Sequence, residues 1–131
     1  LNDRLGHHRG DELLQVVGQV LDANCRSIDV AARYGGDEFC LLMPHTEIDA
    51  ALQVAHRIAE AFRQRIESME LEHVEVDISI GIGHRDVSNP ACAEALARHA
   101  DEAMYAAKAA SGSAPRVMVR GLNGVTVRQA A

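Results

Sequence analysis

The sequence has no tryptophan and only four aromatic residues in 131, Tyr34, Phe39, Phe62 and Tyr105. Proteins that grip single-stranded nucleic acid stack bases on rings, so this scarcity excludes a stacking platform. Positive charge is short as well. Thirteen Lys and Arg stand against 19 Asp and Glu, a net charge of −6, which excludes a broad surface for a nucleic-acid polymer. Cysteine is sparse: Cys25, Cys40 and Cys92 are an odd, scattered set with no CxxC pair. Neither a disulfide framework nor a structural zinc site is encoded, and a reducing cytoplasm is the expected setting. Cys40, inside the apolar run Phe39–Met43, is expected to behave as a small core hydrophobe. No apolar run nears the ~18 residues of a membrane helix, so no membrane contact by this domain is expected. Leu1-Asn2-Asp3-Arg4 does not read as a signal peptide. There is no initiator Met, and the chain is expected to be a piece of a longer protein.

What remains is an ordinary globular composition, 47% apolar and 24% charged, at a length that suits one domain. Residues 11–24 read as a helix, with Leu13, Val16, Val17, Val20 and Leu21 on one face. Asp11 and Glu12 fall in its first turn, where the dipole favours acids. Residues 28–34 and 38–43 read as strands joined through Gly35-Gly36, which supply the positive φ angles of a tight hairpin. The second strand is apolar throughout, and burial on both faces is expected. After Pro44, Thr46 and Asp49 read as a capping pair for a helix whose inner stripe is Ala51, Ala55, Ile58, Ala59, Phe62 and Ile66. Residues 74–82 alternate perfectly, with Val74, Val76, Ile78, Ile80 and Ile82 on the covered face. Asn89-Pro90 reads as a helix start, Leu96, Ala100, Ala103, Met104 and Ala107 as that helix's inner stripe, and Gly112 as its C-cap. Residues 116–120 and 124–128 read as short final strands. The expected fold is α/β (α+β): a two-layer domain with a mixed, mainly antiparallel sheet and helices packed on it. Three helices ask for more sheet than these strands supply, so a strand before Leu1 is expected to complete it.

The sharpest local feature is Arg33-Tyr34-Gly35-Gly36-Asp37-Glu38-Phe39. Two glycines let a backbone approach a ligand closely. An acid beside such a turn suits a phosphate-bound Mg²⁺, which takes one or two carboxylates and keeps phosphate and water ligands. Adjacent strand residues point to opposite faces, so Asp37 and Glu38 do not both aim squarely at one ion. A plain hairpin with solvated acids has the same spelling. The seven histidines offer no i, i+4 pair with a third ligand nearby and are expected at the surface, apart from His7 in a loop.

Several segments together resemble the GGDEF family of diguanylate cyclases. Gly35-Gly36-Asp37-Glu38-Phe39 spells the family signature. Asn2–Asp11 resembles its ND-x-x-GH-x-x-GD segment, Ser79–Gly83 its SIGIA strand, and Ala100–Lys108 its ADxAMYxAK helix. The resemblance covers residues 1–120 as an N-terminally truncated GGDEF domain of the nucleotidyl-cyclase, palm-like type, with 121–131 an extension or short final strand. It implies an enzyme that condenses two GTP into cyclic di-GMP and two pyrophosphates, with Mg²⁺ or Mn²⁺, where two copies meet as a homodimer. It implies that Asp37 holds metal and, with Glu38, forms the catalytic acid pair. The Gly35-Gly36 turn lies against phosphates, Asn2 and Asp11 read guanine, and Lys108 meets the terminal phosphates. The family's product-inhibition site matches Arg26-Ser27-Ile28-Asp29, whose Arg lies 35 − 26 = 9 residues before Gly35. Arg57 falls where the family often adds an arginine. Fusion to a sensor or other signalling domain is implied too.

Two departures stand out. The family's other metal carboxylate lies on the strand before Asn2, in a stretch this chain does not contain. After Lys108 the family runs AK-x-x-GRN, whereas Ser113 follows Gly112 here. One phosphate-binding cation is therefore expected to be missing. The alternative expectation is a catalytically impaired domain that senses GTP or binds cyclic di-GMP.

Overall fold

The computed structural model describes residues 2–71, 76, 78–110, 116–121 and 124–127; for 2–8, 116, 118, 120, 121 and 124–127 it describes the backbone alone. The elements run α1 Asn2–Ala23, β1 Val30–Gly35, β2 Glu38–Leu42, α2 Ile48–Ser68, β3 Ser79–Ile82, α3 Arg85–Ser88, α4 Ala93–Ala109, β4 Arg116–Gly121 and β5 Gly124–Val127. They fall into two compact units, Leu1–His45 with Glu60–Val76, and Thr46–Ala59 with Asp77–Ala131. The expected α+β class holds, with both antiparallel and parallel pairing. Among the described residues no helix is long and apolar enough to cross a membrane.

In the first unit α1 packs on β1. Its buried stripe is Leu13, Val16, Val20 and Leu21, joined in the core by Phe62. The helix begins at Asn2, nine residues before the expected start, so Asp11 sits mid-helix and the segment with His7 is not a loop. Gly6 and Gly10 lower intrinsic propensity there and hid the extension. β1 and β2 form a two-stranded antiparallel sheet. The expected burial of β2 on both faces is not found. Cys40 is exposed and Leu42 is 54% exposed. Period-two alternation accounts for this, since Phe39 and Leu41 are partly covered while Cys40 and Leu42 point the other way. Cys40 is therefore no core residue.

In the second unit β3 pairs β4 in parallel and β5 pairs β4 antiparallel. Val117, Val119 and Ile82 are buried with Ala95, Ala103 and Ala107 of α4. The first part of α2 buries Ala51, Leu52, Ala55, Ile58 and Ala59, and the Glu47 carbonyl accepts the Ala51 N–H at 3.0 Å. α4 lies against β3 on its glycine side, so with Ile82 also buried the strand is covered on both faces and not on the isoleucine face alone. A Cβ on Gly81 would overlap the Ala100 carbonyl and the Met104 amide, and one on Gly83 would sit 2.7 Å from the Leu96 carbonyl. Missing side chains make the close approach possible. Residues 74, 75 and 77 of the expected long strand lie outside the described residues, and 76 and 78 are not strand.

Asn89 does not start a helix. It ends α3 in the left-handed region, φ 48°, where its N–H donates to the Arg85 carbonyl. Asn tolerates that conformation, so the same residue type serves either helix end. His84 caps α3: its Nδ1 accepts from the Asp86 N–H at 3.1 Å. Cys92 takes the cap position of α4, and Ala110, not Gly112, is its C-cap. Gly112 and Ser113 lie outside the described residues. His99 is buried and bonds Ser88 Oγ at 2.7 Å through Nδ1, against the expectation of a surface residue. The Ser88 hydroxyl pairs Nδ1, which lowers the cost of burying the ring.

Candidate functional site

The hairpin tip organises the site in the first unit. Gly35 pairs with Glu38, which leaves Gly36 and Asp37 as the two-residue turn. Only Gly36 has positive φ, at 49°, so the expected use of both glycines narrows to one. Positive φ at the first turn position alone is the pattern of a II′-type hairpin. Arg33 pairs with Phe39 and Gly35 with Glu38, which makes Tyr34 an extra residue, a bulge. Bulges re-aim side chains beside functional sites, and Tyr34 stands 80% exposed. Arg33 reaches back over the turn. Its Nε and Nη2 donate to the Gly36 carbonyl at 3.0 and 2.6 Å. The sequence reading missed this contact, although an arginine three residues before a turn glycine is its visible trace.

Asp37 is exposed at the turn and Glu38 half-buried at the start of β2. Beside them lies an open hollow of about 300 Å³ lined by Asp11, Leu14, Gln15, Arg33 and Phe39. The structure thus brings Asp11 to the hairpin, one helical face against one strand face. Asn2 is at the first turn of α1, and its side chain lies outside the described residues. Lys108 is exposed on α4 and Arg57 exposed on α2; both belong to the second unit.

Among the described residues no three His, Cys, Asp or Glu side chains converge as a metal cage. A divalent ion that arrives on substrate phosphates asks for less. One or two carboxylates suffice, and Asp37 next to Glu38 at an exposed glycine turn fits that demand.

Arg26 and Asp29 form a closed turn. The Arg26 N–H donates to Asp29 Oδ2 at 2.8 Å, Nη2 donates to Oδ1 at 2.8 Å, and Nη2 also donates to the Pro44 carbonyl at 2.9 Å. The Asp29 side chain is 2% exposed and that of Arg26 49%. The side-chain hydrogen bond from Arg26, followed by the one from its backbone, holds the Asp29 carboxyl below the ordinary carboxylate range. Burial, with Asp29 and Asp22 nearby, pushes the Cys25 thiol up. The depressed Asp29 value means its pair stabilises the native state above the unfolded carboxylate pKa of about 3.9, a contribution lost as pH falls through the folded value. The stability gap between wild type and Asp29→Asn, read by urea denaturation, is therefore expected to shrink from pH 7 to pH 3. An equal gap at both pH values contradicts the assignment.

The family described as "Diguanylate cyclase, GGDEF domain" matches residues 1–114. The chain is similar to the response regulator PleD of Caulobacter vibrioides, 40% identical over 124 residues, covering 87% of this chain and 25% of that protein. It is similar to the diguanylate cyclase DosC of Escherichia coli, 38% identical over 117 residues, covering 82% and 23%. Diguanylate cyclase A of Treponema denticola is 33% identical over 108 residues, covering 82% and 29%. Among solved structures, a shortened variant of TpbB (also YfiN) from Pseudomonas aeruginosa, comprising only its GGDEF domain, is 31% identical with a TM-score of 0.68, covering 93% of this chain and 70% of that one. The chain spans about a quarter of the length of the curated relatives it matches.

Proposed function

Because the chain belongs to the GGDEF family of diguanylate cyclases, we propose that it supplies one half-site of an enzyme that joins two GTP into cyclic di-GMP. The observation that carries this reading is the hairpin tip itself, an exposed acid on a glycine turn beside a hollow walled by Asp11. In each of two steps a ribose 3′-oxygen forms a bond to an α-phosphorus. The bond to the β-phosphate oxygen breaks, and pyrophosphate leaves with the electron pair. The hydroxyl proton passes to a base or to water. A bound Mg²⁺ or Mn²⁺ supplies Lewis-acid stabilisation of the phosphate oxygens and a lower pKa for the attacking hydroxyl.

The residues divide the remaining work. Asp37 holds the ion, and Glu38 adds negative charge beside it. Gly35 and Gly36 leave room for phosphates. Asp11 accepts the guanine N1–H and N2–H₂ donors, and the Asn2 amide matches an acceptor on the same base. Lys108 meets the terminal phosphates as a point charge. Each domain carries one GTP, so turnover needs a second copy related by a two-fold axis. Incubation of the full-length protein with GTP and Mg²⁺ is expected to yield cyclic di-GMP by mass spectrometry; binding of a non-hydrolysable GTP analogue with no product overturns the enzyme reading. That outcome is the second reading, a nucleotide-binding module without turnover, favoured by Gly112-Ser113 where the family motif runs Gly-Arg.

Cyclic di-GMP is proposed to bind at Arg26 and Asp29, with Arg57 a further ligand. Arginine forks match guanine O6/N7 and phosphate, and the half-exposed Arg26 side chain supports the role. Arg26→Ala is expected to weaken cyclic di-GMP binding at least about tenfold by calorimetry, the order of one to three kcal/mol for a bidentate contact. Unchanged affinity contradicts the site.

A further inference from the structure

We propose that Arg33 is a positioning residue, which fixes the Asp37 carboxylate by gripping the carbonyl of Gly36. Both donors of the fork meet one acceptor, Nε at 3.0 Å and Nη2 at 2.6 Å. The Gly36 carbonyl and the Asp37 N–H belong to one rigid peptide plane. Holding that oxygen therefore orients the plane that leads into Asp37. The primed hairpin turns differ in the orientation of this central peptide. One of them needs positive φ at both turn positions, and here only Gly36 has it. The latch thus selects the turn in which Asp37 keeps an unstrained backbone.

The bulge is part of the device. Tyr34 is the extra residue between the Arg33–Phe39 and Gly35–Glu38 pairs. The added residue bends the strand and raises its twist, which turns Arg33 toward the tip. Arg33 also lines the hollow with Asp11 and Phe39, while its fork closes on the turn. Lysine offers a compact point charge in place of the planar fork and can restore only part of the grip.

The catalytic consequence rests on the proposed diguanylate cyclase activity; the latch itself does not. In the full-length protein Arg33→Ala is expected to lower kcat at least about tenfold, the range for losing a group that orients a metal ligand. KM for GTP is expected to stay within about threefold, with Arg33→Lys recovering part of kcat. Mn²⁺ affinity in the presence of a non-hydrolysable GTP analogue, read by electron paramagnetic resonance, is expected to fall with kcat. An unchanged kcat in folded Arg33→Ala overturns the proposal. So does a raised KM with intact kcat, which makes Arg33 a GTP ligand instead. If the wild type does not turn over GTP, the latch is judged by NMR. The Arg33 Nε–H is expected to exchange slowly and the Asp37 amide resonance to move in Arg33→Ala; a fast-exchanging Nε–H and an unmoved Asp37 amide overturn it.

Discussion

Gly81→Ala is expected to cost the second unit about 3 kcal/mol or more, at or beyond the upper end for overpacking a core. Its new methyl would overlap the Ala100 carbonyl and the Met104 amide. Both obstacles are backbone within α4, so no rotamer change relieves them. The helix must lift off β3, and Ala103 and Ala107, each fully buried, lose their contacts. The measurement is urea denaturation, in which the midpoint falls with little change in slope. Failure to accumulate as folded protein agrees with the same account. Gly18→Ala is the control. Nothing lies within 4 Å of a Cβ there, and α1 is helical at that point, so the change is expected to stabilise by up to about 1 kcal/mol. Equal effects at the two glycines contradict the packing account.

The second large effect concerns chemistry rather than folding. Asp37→Asn keeps the shape of the side chain and removes its charge. Because Asp37 is exposed in the turn, the thermal midpoint is expected to stay nearly unchanged. Pyrophosphate release is expected to fall by about 10²- to 10³-fold, since several kcal/mol of metal-assisted stabilisation is lost and each 1.36 kcal/mol is tenfold. A rate within about threefold of wild type contradicts the role given to Asp37.

These two sites differ in how openly the sequence displays them. The hairpin was legible because its causes are local. A glycine pair between two strand-like runs favours a turn at or beside it, and here the turn is Gly36-Asp37. The buried stripe of α1 was legible for a similar reason, since Leu13, Val16, Val20 and Leu21 carry the helical period by themselves. Partner choice was not legible. The alternation through Ile82 says that residues face two ways, yet not that α4 lies on the side where side chains are absent. Asn89 shows the same limit, because Asn serves an N-cap and a left-handed C-cap by different physics.

The site was partly legible. Asp11 is a candidate from its sequence position alone, yet only the structure sets it in one hollow with Arg33 and Phe39. The Arg33 latch depends on a bulge, and a bulge is a property of two paired strands, which a single strand's sequence does not state. Within β2 the uniform apolar run hid the difference between the covered positions Phe39 and Leu41 and the exposed positions Cys40 and Leu42.

Phosphorus NMR of the full-length protein with GTP and Mg²⁺ tests the central claim most directly. The account predicts that GTP signals give way to cyclic di-GMP and pyrophosphate in a one-to-two ratio, and that Asp37→Asn leaves GTP intact. Unchanged GTP with the wild type, or release of inorganic phosphate in place of pyrophosphate, would contradict it.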